Sequence, residues 1–436
     1  MAGNRKPRVS FGTVFMLLLT ALVVIGCILF FTLLAGDDLY ERTGEFLRSL
    51  TEQSLFEAAP VQANVPAQTP NIWMWLEDTP VPTAPPATPT PVPAPVTITI
   101  AAAGSVYAPK AVRESALLGG QHDFGAMFAG LGDTLCDADL AIATLETTTA
   151  GRDRGFGNYN TAPEILDALR TVGIDLLSLG TERMLDKGYE GLELTASELT
   201  ARGMAYAGVQ PEGKSRATMM RIGGIQVAVL GYTYGLSDEG RALTQDDKRA
   251  MAAMMNQQQM MDDIRQARVS GANVVIVLPH WGTKNIADVP VNVKRLAGEL
   301  AQAGADIILG THPNVPQSTE RIRTTRADGL EYETVVCYSL GNLLSDARTP
   351  ENTAGMVAHV SVTHDPVTRR TTLGEMYCTP VYIARQRENE QTVYRVVDAE
   401  SAKALEGLTS EEQQAAQAAV SLIRRATETD DQEGQG

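Results

Sequence analysis

Side chains able to bind a metal or move a proton are scarce in this 436-residue sequence, which holds five histidines (122, 280, 312, 359, 364) and four cysteines (27, 136, 337, 378). No C-x-x-C and no closely spaced cysteine pair occurs, so neither a zinc knuckle nor a dithiol redox pair is written here. Cys136, Cys337 and Cys378 read as small core hydrophobes, with one disulfide among them left open, and Cys27 sits in an apolar run. Of the histidines, His280 and His312 follow apolar runs, in Pro279-His280-Trp281-Gly282 and Gly310-Thr311-His312-Pro313. His359 and His364 belong to a late strand and its turn and read as structural. A formal net charge of -16 argues against binding nucleic acid by phosphate neutralisation.

The elements that must position these groups begin with an uncharged run. Phe11 to Ala35 would span about 37 Å as a helix, more than a hydrocarbon core of about 30 Å. Arg5, Lys6 and Arg8 precede it and Asp37 and Asp38 follow it. The expected layout is a cytoplasmic tail at 1–10, a single-pass transmembrane helix at 11–36, and everything beyond it outside the cell membrane. Its 25 apolar residues are too many for a cleaved signal peptide, and the apolar run continuing past Cys27 argues against a lipoprotein signal. Residues 37–95 read as a stalk: a short amphipathic pattern, an isolated Trp73/Trp75 pair, and a proline-rich linker from Thr79 that favours an extended spacer.

A folded domain is expected over 96–400. Short, continuous apolar runs (Ile98 to Ala103, Leu140 to Ala143, Ile174 to Leu179, Val227 to Gly231, Val274 to Leu278, Ile307 to Leu309) alternate with helical patterns such as Pro163 to Val172 and Val291 to Ala303. That alternation predicts an α/β fold with buried sheets. After Tyr332 only strands follow (Val335 to Leu340, Met356 to Val362, Thr371 to Tyr377), which predicts antiparallel completion. The Met251 to Met261 stretch reads as the packing face of a helix ending near Ser270. Residues 401–436 read as one polar helix, about Ser410 to Ala426, and a disordered acidic tail.

Four stretches in order carry a resemblance: Ile174 to Leu179 running into Met184-Leu185-Asp186-Lys187-Gly188, then Pro279-His280-Trp281-Gly282, then Ala303 to Pro313, and Tyr338-Ser339-Leu340-Gly341-Asn342, with Glu320 eight residues after His312. Over about Val96 to Ala384 the chain resembles the CapA family of capsule and poly-γ-glutamate synthesis proteins, whose domain is similar to calcineurin-like metallophosphatases. The resemblance implies a layered α/β/β/α domain with two divalent metals held by loops at the carboxyl ends of strands. A membrane anchor and stalk are usual in such proteins.

Against that pattern the ligand positions have changed. The family's Gly-Asp reads Gly104-Ser105, its Asn-Leu-Glu reads Thr144-Leu145-Glu146, and its Asn-Asn-His reads Thr181-Glu182-Arg183. His280 is kept, with Lys284 where an acidic residue is common, and the final His-Pro-His keeps His312 but has Asn314. A guanidinium has no lone pair to offer a cation, so Arg183 cannot be a ligand. The expectation is therefore no cofactor, with His280 and His312 as hydrogen-bonded loop residues. The alternative is one divalent metal on His280, His312 and a carboxylate from Glu146, Glu182, Asp186 or the His122-Asp123 pair.

Ser105, Thr144, Glu146, Thr181, Glu182, Arg183, Lys284 and Asn314 are then a degenerate site. Arg183 and Lys284 either give it a positive spot for an anion, or Arg183 pairs with Glu182 or Glu146 and closes it. By resemblance the partners are an anionic envelope polymer or other capsule-synthesis membrane proteins. The expected role is non-catalytic binding or organisation, with a rearranged metal-dependent hydrolase or transferase as the rival.

Overall fold

The computed structural model describes residues 93–132, 134–209, 215–242, 254–325, 329–388 and 390–428. The expected cytoplasmic tail and transmembrane helix, most of the stalk, and the end of the acidic tail lie outside them. Among the described residues no helix is long and apolar enough to cross a membrane.

The strands are β1 (Val96–Val106), β2 (Leu117–Leu118), β3 (Gln121–His122), β4 (Leu140–Leu145), β5 (Leu176–Ser178), β6 (Ala205–Ala207), β7 (Thr218–Ile222), β8 (Ile225–Thr233), β9 (Val274–His280), β10 (Ile307–Leu309), β11 (Thr319–Thr325), β12 (Glu331–Cys337), β13 (Asn342–Leu344), β14 (Ala354–Asp365), β15 (Arg370–Glu388) and β16 (Gln391–Asp398). The longer helices are α1 (Lys110–Ser115), α2 (Glu164–Thr171), α3 (Gly188–Ala201), α4 (Gln257–Val269), α5 (Val291–Ala303) and α6 (Ser410–Thr427).

Two sheets carry the domain. The first is eight-stranded, in the order β16-β15-β14-β1-β4-β5-β6 with β13 also pairing β1; the second is six-stranded, β11-β12-β10-β9-β8-β7. Side chains alternate across each strand, and the alternation sorts them into three cores. Ala101, Ala141, Ala143 and Leu177 pack outward with Ile165, Leu166 and Leu169 of α2 and Leu192 and Leu199 of α3. Ile98, Ile100, Leu140, Ile142 and Leu176 face inward against Val227, Val229, Ile276, Ile307 and Val335 of the other sheet. Ala228, Leu230, Val275, Val277 and Ile308 pack outward against Met260 and Ile264 of α4 and Val293, Ala297 and Leu300 of α5. The result is four layers, helix on sheet on sheet on helix.

The strands after Tyr332 are antiparallel from β14 to β16, as expected. β12 departs from that expectation by also running parallel to β10. Leu408, Ala416, Ala419 and Ile423 of the C-terminal segment are buried in the inter-sheet core, so α6 packs as part of the domain, past the expected boundary at 400. Of the Met251 to Met261 stretch, 251–253 lie outside the described residues; helix α4 begins at Gln257, where the Asn256 side chain accepts from the Gln259 amide at 3.0 Å, and it buries Met260. Cys337 is buried and Cys378 half-buried, but Cys136 is exposed, contrary to its reading as a core residue; all three are free thiols. His359 stacks on Tyr377 at 4.5 Å and His364 bonds Thr371 at 3.0 Å, both structural roles.

Candidate functional site

The inter-sheet core is apolar along most of its length and turns polar at the carboxyl ends of the parallel strands. Val106, Ala143 with Leu145, and Leu177 with Leu179 all join the outer core of the first sheet, so their neighbours Ser105, Thr144 and Ser178 face inward. Register places these three in one row, Ser105 opposite Thr144 and Thr144 opposite Ser178. Tyr232 and Trp281 pack outward in the second sheet, which turns Thr233 and His280 inward. These two are paired, and His280 is bridged to Thr311. At this end the sheets close tightly. A Cβ on Gly180 would lie 2.7 Å from the Tyr232 nitrogen, and one on Gly231 2.8 Å from the Gly208 Cα.

Two histidines meet in this polar cap. His312 Nδ1 lies 3.2 Å from His280 Nε2, and His280 Nδ1 lies 3.1 Å from the Thr311 hydroxyl and 3.8 Å from Glu146 Oε1. Burial pushes His280 down to about 3, helped by Lys284 and Arg183 and opposed by Glu182. Burial and the neighbouring His280 push His312 down to about 4. Both rings are neutral at pH 7. His312 holds a left-handed backbone (φ 99°), an outlier for a non-glycine residue that the surrounding loop must enforce. Glu146 is raised, chiefly by burial, with the nearby Ser105 hydroxyl opposing. Glu146 Oε1 and the hydroxyls of Ser105, Ser178 and Thr181 are buried without a hydrogen-bond partner.

A charged cluster lies beside the cap, in the loops after β5, β8 and β9. Glu182 is its hub: Lys284 Nζ donates to Oε1 at 2.5 Å, the Tyr234 hydroxyl donates to Oε2 at 2.6 Å, and Arg183 Nε lies 3.3 Å from Oε1. Burial works to raise Glu182, but the bonds from Lys284 and Tyr234 and the charges of Lys284 and Arg183 outweigh it and hold the carboxyl at about 2. Arg183 Nη1 also reaches Asp186 Oδ2 at 3.4 Å and Glu239 Oε2 at 3.7 Å, and the guanidinium lies 3.7 Å over the Tyr159 ring. Ser237 donates to Asp186. A pocket of about 630 Å³ opens here, lined among others by Glu182, Arg183, Tyr234, Lys284 and His312.

Residues 99–347 match the family described as bacterial capsule synthesis protein PGA_cap. The chain belongs to this family. Among curated relatives, the PGA biosynthesis protein CapA of Bacillus subtilis is 26% identical over 192 residues, 43% of this chain and 47% of that protein. The capsule biosynthesis protein CapA of Bacillus anthracis is 27% identical over 188 residues, 42% and 43% of the two chains. This PGA_cap chain thus matches about half the length of these relatives. Looser likenesses among solved structures include a 5′-nucleotidase precursor from Thermus thermophilus (13% identity, TM-score 0.39, 76% of this chain and 59% of that one). Another is the calcineurin-like phosphoesterase YfkN from Bacillus subtilis (13%, TM-score 0.35, 76% and 99%).

Of the residues singled out in this PGA_cap sequence, Ser105, Thr144, Glu146, Thr181, His280 and His312 lie in or beside the buried cap, and Glu182, Arg183 and Lys284 form the cluster next to it. Asn314 is tied in through its backbone, whose carbonyl accepts from Asn352 Nδ2 at 2.8 Å and Asn342 Nδ2 at 3.3 Å. His122 stands apart, edge-on to Phe156 at 5.7 Å. Glu320 accepts from the Tyr338 hydroxyl at 2.5 Å. Tyr159, Tyr234, Ser237, Glu239 and Thr311 were not singled out. Tyr234 and Thr311 stand just past the ends of β8 and β10, which was their only visible signal.

The donor set does not fit a two-metal centre. Hydroxyls are weak ligands beside carboxylates, Arg183 has no lone pair, and both nitrogens of His280 are engaged by Thr311 and His312. Among the described residues no group of three or more His, Cys, Asp or Glu side chains is arranged to hold a metal ion. The two cations are not a free positive spot either, since Lys284 and Arg183 both pair with Glu182 and Arg183 also pairs with Asp186.

Proposed function

We propose that this PGA_cap protein is anchored in the cell membrane by residues 11–36 and works outside it in the synthesis of a capsule or poly-γ-glutamate-type polymer, binding or organising the polymer without hydrolysing it. The supporting observation is the donor set at the strand ends, in which hydroxyls and a salt-bridged guanidinium stand where the family resemblance implies metal ligands. Lys284, although paired with Glu182, keeps 40% of its side chain exposed, so a polymer carboxylate reaching the pocket would share its ammonium with that glutamate. Capsule-synthesis membrane proteins are the other partners consistent with the anchor and stalk. The test is co-sedimentation of the purified full chain with poly-γ-glutamate in excess chelator. Binding without shortening of the polymer is expected. Cleavage that disappears on chelation overturns the reading, as would two equivalents of tightly bound transition metal.

A second reading, a hydrolase or transferase with a rearranged mononuclear site, rests on the unpartnered Glu146 Oε1 lying 3.8 Å from His280. It requires that His280→Ala and His312→Ala each abolish metal binding and activity together. Full activity in both variants disposes of it.

A further inference from the structure

We propose that Arg113, set among Phe156, His122 and Arg152, is a second anion-binding subsite, which takes a carboxylate of the acidic polymer on the loop that also lines the charged pocket. The inference rests on the polymer-binding reading above and deepens it by naming where the polymer is gripped. Arg113, in α1, is only 7% exposed, yet among the described residues no carboxylate comes within ion-pair distance of it. Glu114, its neighbour in the chain, pairs with Lys110 at 3.6 Å instead. Arg113 Nη1 donates to the carbonyls of Gly157 at 3.1 Å and Asn160 at 3.3 Å, and the guanidinium lies 4.4 Å from the centre of the Phe156 ring. Nε and Nη2, the parallel donors that grip a planar carboxylate side-on, make no hydrogen bond among the described residues and are not sealed from solvent. Pinning a loop through two carbonyls needs no charge, and a guanidinium stripped of most of its water without a counter-ion is unfavourable. Arg183 marks the contrast: it is stacked on Tyr159 of the same loop, but Glu182, Asp186 and Glu239 surround its nitrogens.

The surroundings favour an anion. His122 is half-buried and edge-on to Phe156 at 5.7 Å. Burial lowers its pKa; Glu164 opposes this, and the charges of Arg113 and Arg152 add to it, which puts both guanidiniums near its ring. Arg152 is exposed and has no ion pair among the described residues. The acidic groups on the same elements are Asp123, whose Oδ1 accepts from the Gly125 amide at 2.8 Å, and the exposed Asp153 and Glu164; none of them pairs with Arg113. The loop is also held in shape before any ligand arrives. The buried Asn160 side chain donates to the carbonyls of Gly151 at 2.8 Å and Gly155 at 3.1 Å and accepts from the Ala150 amide at 2.9 Å, so little ordering is left to binding. Because Tyr159 lines the pocket, a polymer crossing this loop offers one carboxylate to Arg113 and another toward Lys284.

The experiment is calorimetric titration of the full chain with poly-γ-glutamate in EDTA, for the wild type, Arg113→Gln, Arg113→Lys, Arg152→Gln and Arg265→Gln, with the unfolding midpoint of each measured alongside. Arg113→Gln keeps a donor for the loop carbonyls and removes the charge, and is expected to weaken binding about 10- to 100-fold. Arg113→Lys keeps the charge without the fork and is expected to lose about 10-fold. Arg152→Gln, at the surface, is expected to lose about threefold. Arg265→Gln removes an exposed cation from α4, in the helical layer outside the second sheet, and is expected to bind like the wild type. Free glutamate at equal carboxylate concentration is expected not to displace the polymer. If neither Arg113 variant folds, Arg152→Gln decides, with weakened binding supporting the proposal and unchanged binding overturning it. The proposal is also overturned if a folded Arg113→Gln binds like the wild type, if Arg265→Gln loses as much, or if free glutamate displaces the polymer. A wild type that binds no polymer sinks the functional reading and this inference with it, whereas equal binding by the wild type and Arg113→Gln sinks this inference alone.

Discussion

Lowering the pH from 7 to 5 should destabilise this protein through His280 and His312. In the fold the two rings have pKa values near 3 and 4, against 6.5 for a free histidine. A group whose folded pKa lies below its unfolded value contributes nothing to stability above the unfolded pKa. Below it, the unfolded chain takes up a proton that the folded chain refuses, and stability falls by about 1.4 kcal/mol per pH unit until the folded pKa is reached. From 6.5 to 5 each ring therefore costs up to about 2 kcal/mol, and the pair up to about 4. Glu146 and Asp186 work the other way, because their raised pKa values let the folded chain take up protons first as the pH falls. Glu182, held at about 2, loses its contribution only below the free carboxyl range near 4.5, outside this window.

The opposing carboxylates are removed by comparison with a His280→Asn/His312→Asn double variant, which retains them. Urea unfolding of both proteins at pH 7 and pH 5, in EDTA, gives two differences. The wild type should lose about 2 to 4 kcal/mol more than the double variant over this interval. Equal losses would refute the buried, neutral histidine pair, and so would a wild type that gains stability relative to the variant.

Three further outcomes follow from particular contacts. Glu182→Gln removes the common partner of Lys284, Arg183 and Tyr234 and should cost about 3 kcal/mol in urea unfolding at pH 7; a loss below about 1 would mean that the cluster contributes little. Gly310→Ala drives a Cβ into the Tyr338 carbonyl oxygen and the Trp281 ring nitrogen, so the melting temperature should fall by an amount matching about 1 to 3 kcal/mol, and an unchanged midpoint would contradict that crowding. Ile423→Ala tests whether α6 belongs to the domain. Ile423 is 1% exposed in the inter-sheet core, so its truncation should cost about 2 to 5 kcal/mol, whereas a helix outside the domain would show almost none.

The central strands were legible because they lie buried on both faces, which demands uninterrupted apolar runs such as Val274 to Leu278. The alternation within those runs is less visible. Ile276 and Val277 look equivalent in sequence, yet one meets the facing sheet and the other the helices α4 and α5. The polar ends of the strands, Ser105, Thr144 and His280, stood out as breaks in apolar runs. Helix α6 was harder to place, because its apolar side is mostly alanine, with Val420, Leu422 and Ile423 confined to its last third, and it reads as polar. Only contact with β14 and β15 shows that small side chains were needed there for close packing.

The charged cluster was harder still, for a physical reason. Glu182 is adjacent to Arg183 in the chain, but what decides its state lies far away: Lys284 is 102 residues distant and Tyr234 52. Sequence alone left two outcomes for Arg183, a free positive spot together with Lys284 or an ion pair that closes the site, and burial selects between them. A guanidinium with only 17% of its side chain exposed has lost most of its hydration and must be repaid by fixed negative charge. Asp186, Glu239 and Glu182 supply it from two loops, brought together because Gly180, Gly208 and Gly231 let the two sheets approach each other just beneath. The small residues that permit that approach therefore also set the electrostatics of the site, and a bulkier side chain at any of the three would draw Glu239, Tyr234 and Lys284 away from Glu182 and Arg183 without touching a charged group.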